Sequence, residues 1–296
     1  MEEKETKGTV VHIQGGLGKC IAFTAVAKCF KETYPDLQLV VISGYPEVFL
    51  HNPNIDGNFE FSQHGLWFSF YSNPDFEIMA FDPYFHQDWI NNSGRHLTDI
   101  WCELLDVECK GSLPQLYFSG PEVEELKRMM NVDRPLLVVQ STGGPNPGAV
   151  SWTRNPPTQE LDDYLAKYSD SHYIVHLCQQ ATPVLKSVNQ RIDGLNRRQA
   201  MCLVYYAQEF VGIDSFGLHA RAANPNSGPS TFFFPLPEIK DKLGYKETDH
   251  NYILPTEQVQ DLLKGEYAYY ATLQRFAIDE PGVSCPVPAG IRWFDY

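Results

Sequence analysis

A short β-type run, Val10 to Gln14, ends on Gly15, Gly16 and Gly18 and passes at once into Ala22, Val26, Cys29 and Phe30 at helical spacing. This order predicts a strand, a tight glycine turn and a helix. Pro35 stops the helix, and Leu37 to Ser43, with Val40, Val41 and Ile42 in succession, predicts a second strand of the kind buried on both faces in parallel sheets. A right-handed βαβ crossover then places the glycine turn at the carboxyl end of the sheet, where open α/β folds bind ligands.

The same order recurs later in the chain. A helix near Glu122 to Met130 is followed by a continuous β-type run, Leu136 to Gln140, and by a Gly- and Pro-rich loop from Ser141 to Gly148. Thr158 to Tyr168 predicts a helix and Tyr173 to Cys178 a strand. Gln199 to Tyr206 predicts a further helix, Phe210 to Ile213 a strand, and Asp214-Ser215 the start of another helix. Between the two cycles, His96 to Asp106 has helical periodicity, whereas the aromatic-rich stretch Phe59 to Asp88, broken by Pro74 and Pro83, supports no assignment. The fold class expected is α/β, with two Rossmann-like domains facing across a cleft. Their boundary falls between 112 and 135: residues 1–120 form an N-terminal domain, 121–255 a C-terminal domain, and 256–296 a terminal helix, over Glu257 to Phe276, with a tail.

Composition agrees with this layout. A chain of 296 residues, 43% of them hydrophobic, can fill two cores. No apolar stretch approaches the ~20 residues of a membrane-spanning helix. The charged segment Met1 to Lys7 leads straight into a strand without a secretory leader, so a cytoplasmic location is expected. Seven cysteines, with no pair at zinc or redox spacing, read as reduced packing residues. The net charge of −14 opposes long-range attraction to DNA or anionic membrane, although Arg191, Arg197 and Arg198 form a local basic group, which most simply reads as a solvated face.

Three constellations carry candidate chemistry. Gly15-Gly16-Leu17-Gly18-Lys19 is not a Walker phosphate loop, because Ile13 stands where its first glycine is needed and Cys20 replaces the magnesium-holding hydroxyl. Nor is it a dinucleotide fingerprint, because Ile21 replaces the third glycine, which also counts against a nucleotide-sugar epimerase. A glycine turn at a helix start can still admit an anionic or hydroxyl-rich ligand, or be a bare βα turn. The second constellation ends a strand on Asp214 and Ser215, with His219 one helical turn beyond Ser215. It suits a diphosphate, or else a capped helix with a core histidine. The third joins Ser141, Thr142, Gly143 and Gly144 to Arg154, whose guanidinium could clamp a phosphate or simply be solvated. The chain contains no Asp-x-Asp, no His-Glu-x-x-His and no Gly-x-Ser-x-Gly, so the metal-diphosphate clamp, the zinc helix and the nucleophile turn are not available as readings.

Taken together, these residues resemble the heptosyltransferase-type glycosyltransferases, family nine of the inverting GT-B enzymes, from Val10 to about Phe234. The resemblance is carried by Gly-Gly-Leu-Gly at 15 to 18, Tyr34-Pro35-Asp36, Asn52-Pro53-Asn54-Ile55-Asp56, the Asp193-Gly194 strand end, and Asp214-Ser215-Phe216-Gly217-Leu218-His219-Ala220. Ser151 to Pro157 is similar to the family's Trp- and Pro-containing basic segment facing the donor phosphates. Tyr45-Pro46-Glu47-Val48-Phe49 and Ser151-Trp152-Thr153-Arg154 look most like uncharacterised relatives that include proteins of large tailed phages.

The resemblance implies a metal-independent, inverting transfer from a nucleotide-sugar, with no further cofactor. Ser141 to Gly144, Arg154, Asp214, Ser215 and His219 would hold the donor, and Gly15, Gly16, Gly18 and Lys19 would face the acceptor. That acceptor would be a hydroxyl of a saccharide or, from the phage-like character, of hydroxymethylated cytosine in DNA receiving a sugar or a pentose such as arabinose. The chain departs from the family at one catalytic position. The family's glycine turn ends in an aspartate assigned as general base, and Lys19 stands there, a poor base unless burial lowers its pKa. Asp82, His86 and Asp88, in the aromatic region expected to line the acceptor side, are the substitute bases, while His96 and Asp99 read equally well as structural. A non-catalytic nucleotide-sugar binding protein is the alternative that Lys19 keeps open.

Overall fold

The computed structural model describes residues 6–91, 93–108, 111, 113–143, 154–179, 182–264 and 291–296. The first sheet is built from β1 (Gly8–Ile13), β2 (Gln38–Ser43), β3 (Gly57–Glu60) and β4 (Phe76–Met79), all parallel, in the order β3-β2-β1-β4. Helix α1 (Leu17–Thr33) crosses from β1 to β2 as expected, burying Ile21, Phe23, Val26 and Phe30 against one face of the sheet. The opposite face, Val10, Val40 and Ile42, is covered by Phe59, Phe61, Trp67, Phe70 and Phe76. The unassigned aromatic stretch thus takes in the end of β3, the short helix α2 (His64–Tyr71) and β4. A few large rings cover the sheet there in place of a long amphipathic helix, which is why no clear period marks it.

Beyond β4 come α3 (Gln87–Ile90), α4 (Leu97–Leu104) and α5 (Gly120–Met129), the last opened by a Ser119–Glu122 capping box. The second sheet contains β5 (Leu136–Val139), β6 (Tyr173–Leu177), β7 (Gln190–Ile192), β8 (Glu209–Ile213), β9 (Ser230–Phe233) and β10 (His250–Ile253). Every pair is parallel and the order is β10-β9-β8-β5-β6-β7, the doubly wound arrangement of a Rossmann fold. Its crossover helices are α6 (Thr158–Leu165), α7 (Arg197–Tyr206), α8 (Phe216–Ala222) and α9 (Pro237–Leu243). The expected α/β class with two Rossmann-like sheets is what the chain adopts.

Residues 257–264 are helical, and the remainder of the expected terminal helix lies outside the described residues. Residues 291–296 pack back on α6, where the Glu160 carboxylate accepts from the amides of Trp293 and Phe294. No described helix is long and apolar enough to cross a membrane. Cys20, Cys102, Cys178 and Cys202 are free thiols, but Cys29 is disulfide-bonded, which corrects the expectation that the cysteines are reduced. The Asn52 to Asp56 motif is a structural knot: Asn52 accepts from the amide of Asn54, while Asp56 accepts from the amide of Leu39 and pairs with Lys31 at 2.8 Å.

Candidate active site

In each sheet the first strand lies between a neighbour reached by one crossover and a neighbour reached by turning the other way. At such a switch point the loops leaving the two adjacent strands part and open a crevice. In the first sheet these are the loops after β1 and β4. Gly15 has φ +112, a conformation L side chains avoid, and Gly16 caps α1 without any side-chain bond. Lys19, only 7% exposed, turns its ammonium across the crevice to Asp82, Nζ to Oδ2 2.8 Å, and over the Tyr84 ring at 4.0 Å. The other Asp82 oxygen accepts from the Tyr84 amide, fixing the carboxylate at the start of a 3-10 turn. A carboxylate is therefore held at the glycine turn from the neighbouring strand.

The other base candidates are engaged elsewhere. His86 Nδ1 accepts from the Asp88 amide and its Nε2 faces Glu103 at 3.7 Å. Asp88 pairs with Arg95 at 2.5 Å, and Arg95 also binds Glu103. His96 caps α4 by accepting from the Thr98 amide, in keeping with the structural reading. Asp82 alone of the three is bonded to Lys19.

In the second sheet the crevice lies between the loops after β5 and β8. Arg154 donates to the Asp214 carbonyl at 3.2 Å, and a side chain at Gly143 would meet the guanidinium at 3.4 Å, so Arg154, Gly143 and Asp214 converge. The Asp214 carboxyl is buried; desolvation pushes its pKa up, and Arg154 partly offsets this. Ser141 and Thr142 turn inward, Ser141 onto His176 at 2.7 Å and Thr142 toward Thr182 at 3.3 Å. Gly144 and Ser151 to Thr153 lie outside the described residues.

Sequence reasoning missed Gln140. Its Nε2 donates to Ser215 Oγ at 2.9 Å, and its Oε1 accepts from the Gly217 amide at 3.2 Å. One of the backbone amides in the first turn of α8 is thus already occupied, and the Ser215 hydroxyl proton is left to point elsewhere. The only sequence signal for Gln140 was a polar residue directly after a buried strand.

The two crevices meet. Helices α1 and α8 pack together, and a β-carbon at Gly18 would lie 2.8 Å from His219 Cδ2 and 3.3 Å from Nε2 and from the Phe216 backbone. Gly18 is required for this approach rather than for its backbone angles. Gly18→Ala is expected to cost about 1–3 kcal/mol by overpacking, measured by urea denaturation; unchanged stability would show that the helices separate freely. His219 is buried, and its Nδ1 lies 2.8 Å from Tyr245 Oη.

No protein-family model matches the chain, and no curated protein matches it in sequence. Solved structures do. The glycosyl transferase family 9 protein of Veillonella parvula superposes with a TM-score of 0.65 at 11% identity, covering 93% of this chain and 98% of that one. The ADP-heptose lipopolysaccharide heptosyltransferase II of E. coli gives 0.61 at 13% identity, over 90% and 99%. E. coli heptosyltransferase WaaC with ADP gives 0.55 at 8%, over 88% and 99%. The chain has the heptosyltransferase-type GT-B fold.

In this GT-B chain two of the basic group, Arg191 and Arg197, lie on the exposed surface as expected, while Arg198 is drawn inward. Arg198 binds both oxygens of Glu122, at 2.6 and 2.9 Å, and also the carbonyls of Tyr117 and Glu47. Arg197 binds Glu47 at 2.9 Å, and Arg191 the carbonyls of Pro183 and Thr182. Arg197 and Arg198 thereby clamp α7 of the second sheet to the 3-10 turn at Pro46–Phe49 and to the connecting segment. Hydrogen bonds from Arg198 hold Glu122 down at about 2.

Burial also shapes the GT-B domain's response to acid. Desolvation lowers His176 to about 4 and His219 to about 3, the latter helped by His96. Below their unfolded value of about 6.5 the unfolded chain binds protons that the folded chain refuses, so stability is full above that pH and falls as pH drops toward the folded values. Each should remove up to about 1.4 kcal/mol per pH unit. Urea midpoints that stay constant between pH 7 and pH 5 would contradict this.

Proposed function

We propose that this chain is a glycosyltransferase that carries a sugar from a nucleoside diphosphate donor to a hydroxyl acceptor, without a metal and with inversion at the anomeric carbon. The observation that carries the reading is the meeting of two switch-point crevices, one presenting a carboxylate at a glycine turn and the other a guanidinium, a hydroxyl and an imidazole. Transfer between two bound molecules needs two sites face to face. One E. coli structural neighbour is named as an ADP-heptose heptosyltransferase and another was solved with ADP, which supports a nucleoside diphosphate donor.

In this scheme the spare N–H groups of Arg154, which have no partner among the described residues, take the diphosphate with the Ser215 hydroxyl and His219. Asp214, a carboxyl that would repel phosphate, accepts from a sugar hydroxyl instead. Asp82 takes the proton of the acceptor hydroxyl as its oxygen attacks the anomeric carbon and the bond to the diphosphate breaks. Lys19 holds Asp82 in place and keeps positive charge beside it. Arg154 stabilises the charge left on the diphosphate. Since Arg198 is taken up by Glu122 and two carbonyls and Arg197 is paired with Glu47, and the net charge is −14, a saccharide hydroxyl fits better than DNA as acceptor.

The test is a thermal-shift series with ADP, UDP, GDP and their sugar derivatives in the presence of a chelator, followed by turnover assays. One nucleotide class should raise the unfolding temperature, and Arg154→Ala should lower turnover about 10²-fold. No shift with any nucleotide would overturn the reading. Binding without hydrolysis or transfer to any acceptor would favour a nucleotide-sugar binding protein. Salt-sensitive binding of hydroxymethylated DNA would make DNA the acceptor.

A further inference from the structure

Resting on the donor site just described, we propose that Tyr245 is a positioning residue that fixes His219 in the tautomer protonated at Nε2, so that this N–H is the donor presented to the diphosphate. Tyr245 follows α9 and is 3% exposed, with its ring perpendicular to the His219 ring at 5.7 Å. Its backbone is pinned from β10, since the Tyr245 amide donates to Tyr252 Oη at 2.8 Å and that hydroxyl donates back to the Tyr245 carbonyl at 3.0 Å.

Among the described residues the phenolic oxygen has one hydrogen-bond partner, His219 Nδ1 at 2.8 Å. Were Nδ1–H the donor, the phenolic proton would be buried without an acceptor, an arrangement folded proteins avoid. The phenol therefore donates and Nδ1 accepts. Burial keeps the imidazole neutral, with its pKa down at about 3, so its single proton lies on Nε2. That edge of the ring faces the first turn of α1 at Gly18, and no described protein group bonds Nε2. A neutral imidazole with a fixed tautomer is a directional donor, whereas an unfixed one divides its proton between both nitrogens.

The experiment is a long-range 1H–15N spectrum of the imidazoles in the full-length chain, with the His219 signals assigned by their loss in His219→Gln, combined with calorimetric titration of ADP, UDP and GDP. The expected spectrum shows Nε2 protonated and Nδ1 bare. Tyr245→Phe should move the proton partly to Nδ1 and weaken the nucleotide that binds about tenfold, or about 1.4 kcal/mol. A proton on Nδ1 in the unmodified chain overturns the proposal, even if Tyr245→Phe does not fold. So does a Tyr245→Phe protein that binds nucleotide as before with its tautomer unchanged. Failure of the unmodified chain to bind any of the three nucleotides is a distinct result, which removes the donor site itself.

Discussion

Replacing Asp82 by asparagine is expected to lower turnover by about 10²–10⁴-fold, the range associated with loss of a general base, while leaving nucleoside diphosphate affinity unchanged. The amide keeps the shape and can still accept from the Tyr84 amide through one oxygen, so the 3-10 turn at Pro83–Phe85 should survive. It cannot take a proton. It also puts an NH2 group or a weaker acceptor opposite the Lys19 ammonium, which lies 2.8 Å from the carboxylate. Asp82 retains about 20% of its side-chain exposure whereas Lys19 retains 5%, so the carboxylate is the member of the pair that an acceptor can reach. Steady-state kinetics with the donor identified by thermal shift decides the matter. Turnover that survives Asp82→Asn would reduce the pair to a brace between β1 and β4.

The second large effect is on stability. Arg221 is fully buried in α8, yet four of the five N–H groups of its guanidinium are used: Nε donates to Ser230 Oγ at 2.9 Å, Nη1 to the carbonyls of Val204 and Ala207 at 3.1 and 2.7 Å, and Nη2 to that of Gly228 at 2.8 Å. These groups close the end of α7 and the approach to β9. Burial lowers the Arg221 pKa to about 10, so the group remains a cation at neutral pH. Arg221→Leu keeps much of the apolar stem but removes the guanidinium donors from the Val204, Ala207 and Gly228 carbonyls and from Ser230 Oγ, with only the Gly228 carbonyl keeping a second donor among the described residues, Ser230 Oγ at 3.4 Å. The expected loss is about 3–5 kcal/mol, comparable to breaking a buried charged pair, read as a lower urea midpoint. Arg221→Lys should recover little, because an ammonium cannot reproduce the planar fork. A loss below about 1 kcal/mol, as for an ordinary surface substitution, would show that water reaches these carbonyls in the native state.

Much of the fold was legible because it is written in local pattern. Continuous apolar runs such as Leu136–Val139 mark strands buried on both faces, and Gly15 to Gly18 followed by an apolar period marks a βα turn. The aromatic stretch after Phe59 was not legible, since its rings cover the sheet in short pieces with no sustained period. β7 and β10, of three and four residues with no fully buried position, carry too little pattern to stand out. In the candidate site, Asp214, Arg154 and Gly143 were readable as charged or small residues on loops after strands, and the structure brings the three together. Arg221 read as an ordinary helical arginine, because nothing in its neighbours along the chain reveals which carbonyls end beside it.

Strand type, the glycine turn, the recurrence of α/β cycles and the chemical character of the candidate loops all follow from residues within a turn or two of one another, and these the sequence determined. The partners were decided by tertiary structure. Lys19 meets Asp82 across 63 positions and Gln140 meets Ser215 across 75, because β4 joins β1, and β8 joins β5, at the switch point of each sheet. Gly18 meets His219 because α1 and α8 pack against each other across the two sheets. Which loops face one another is set by strand order and helix packing, and these depend on how all the buried faces are satisfied together rather than on any single segment.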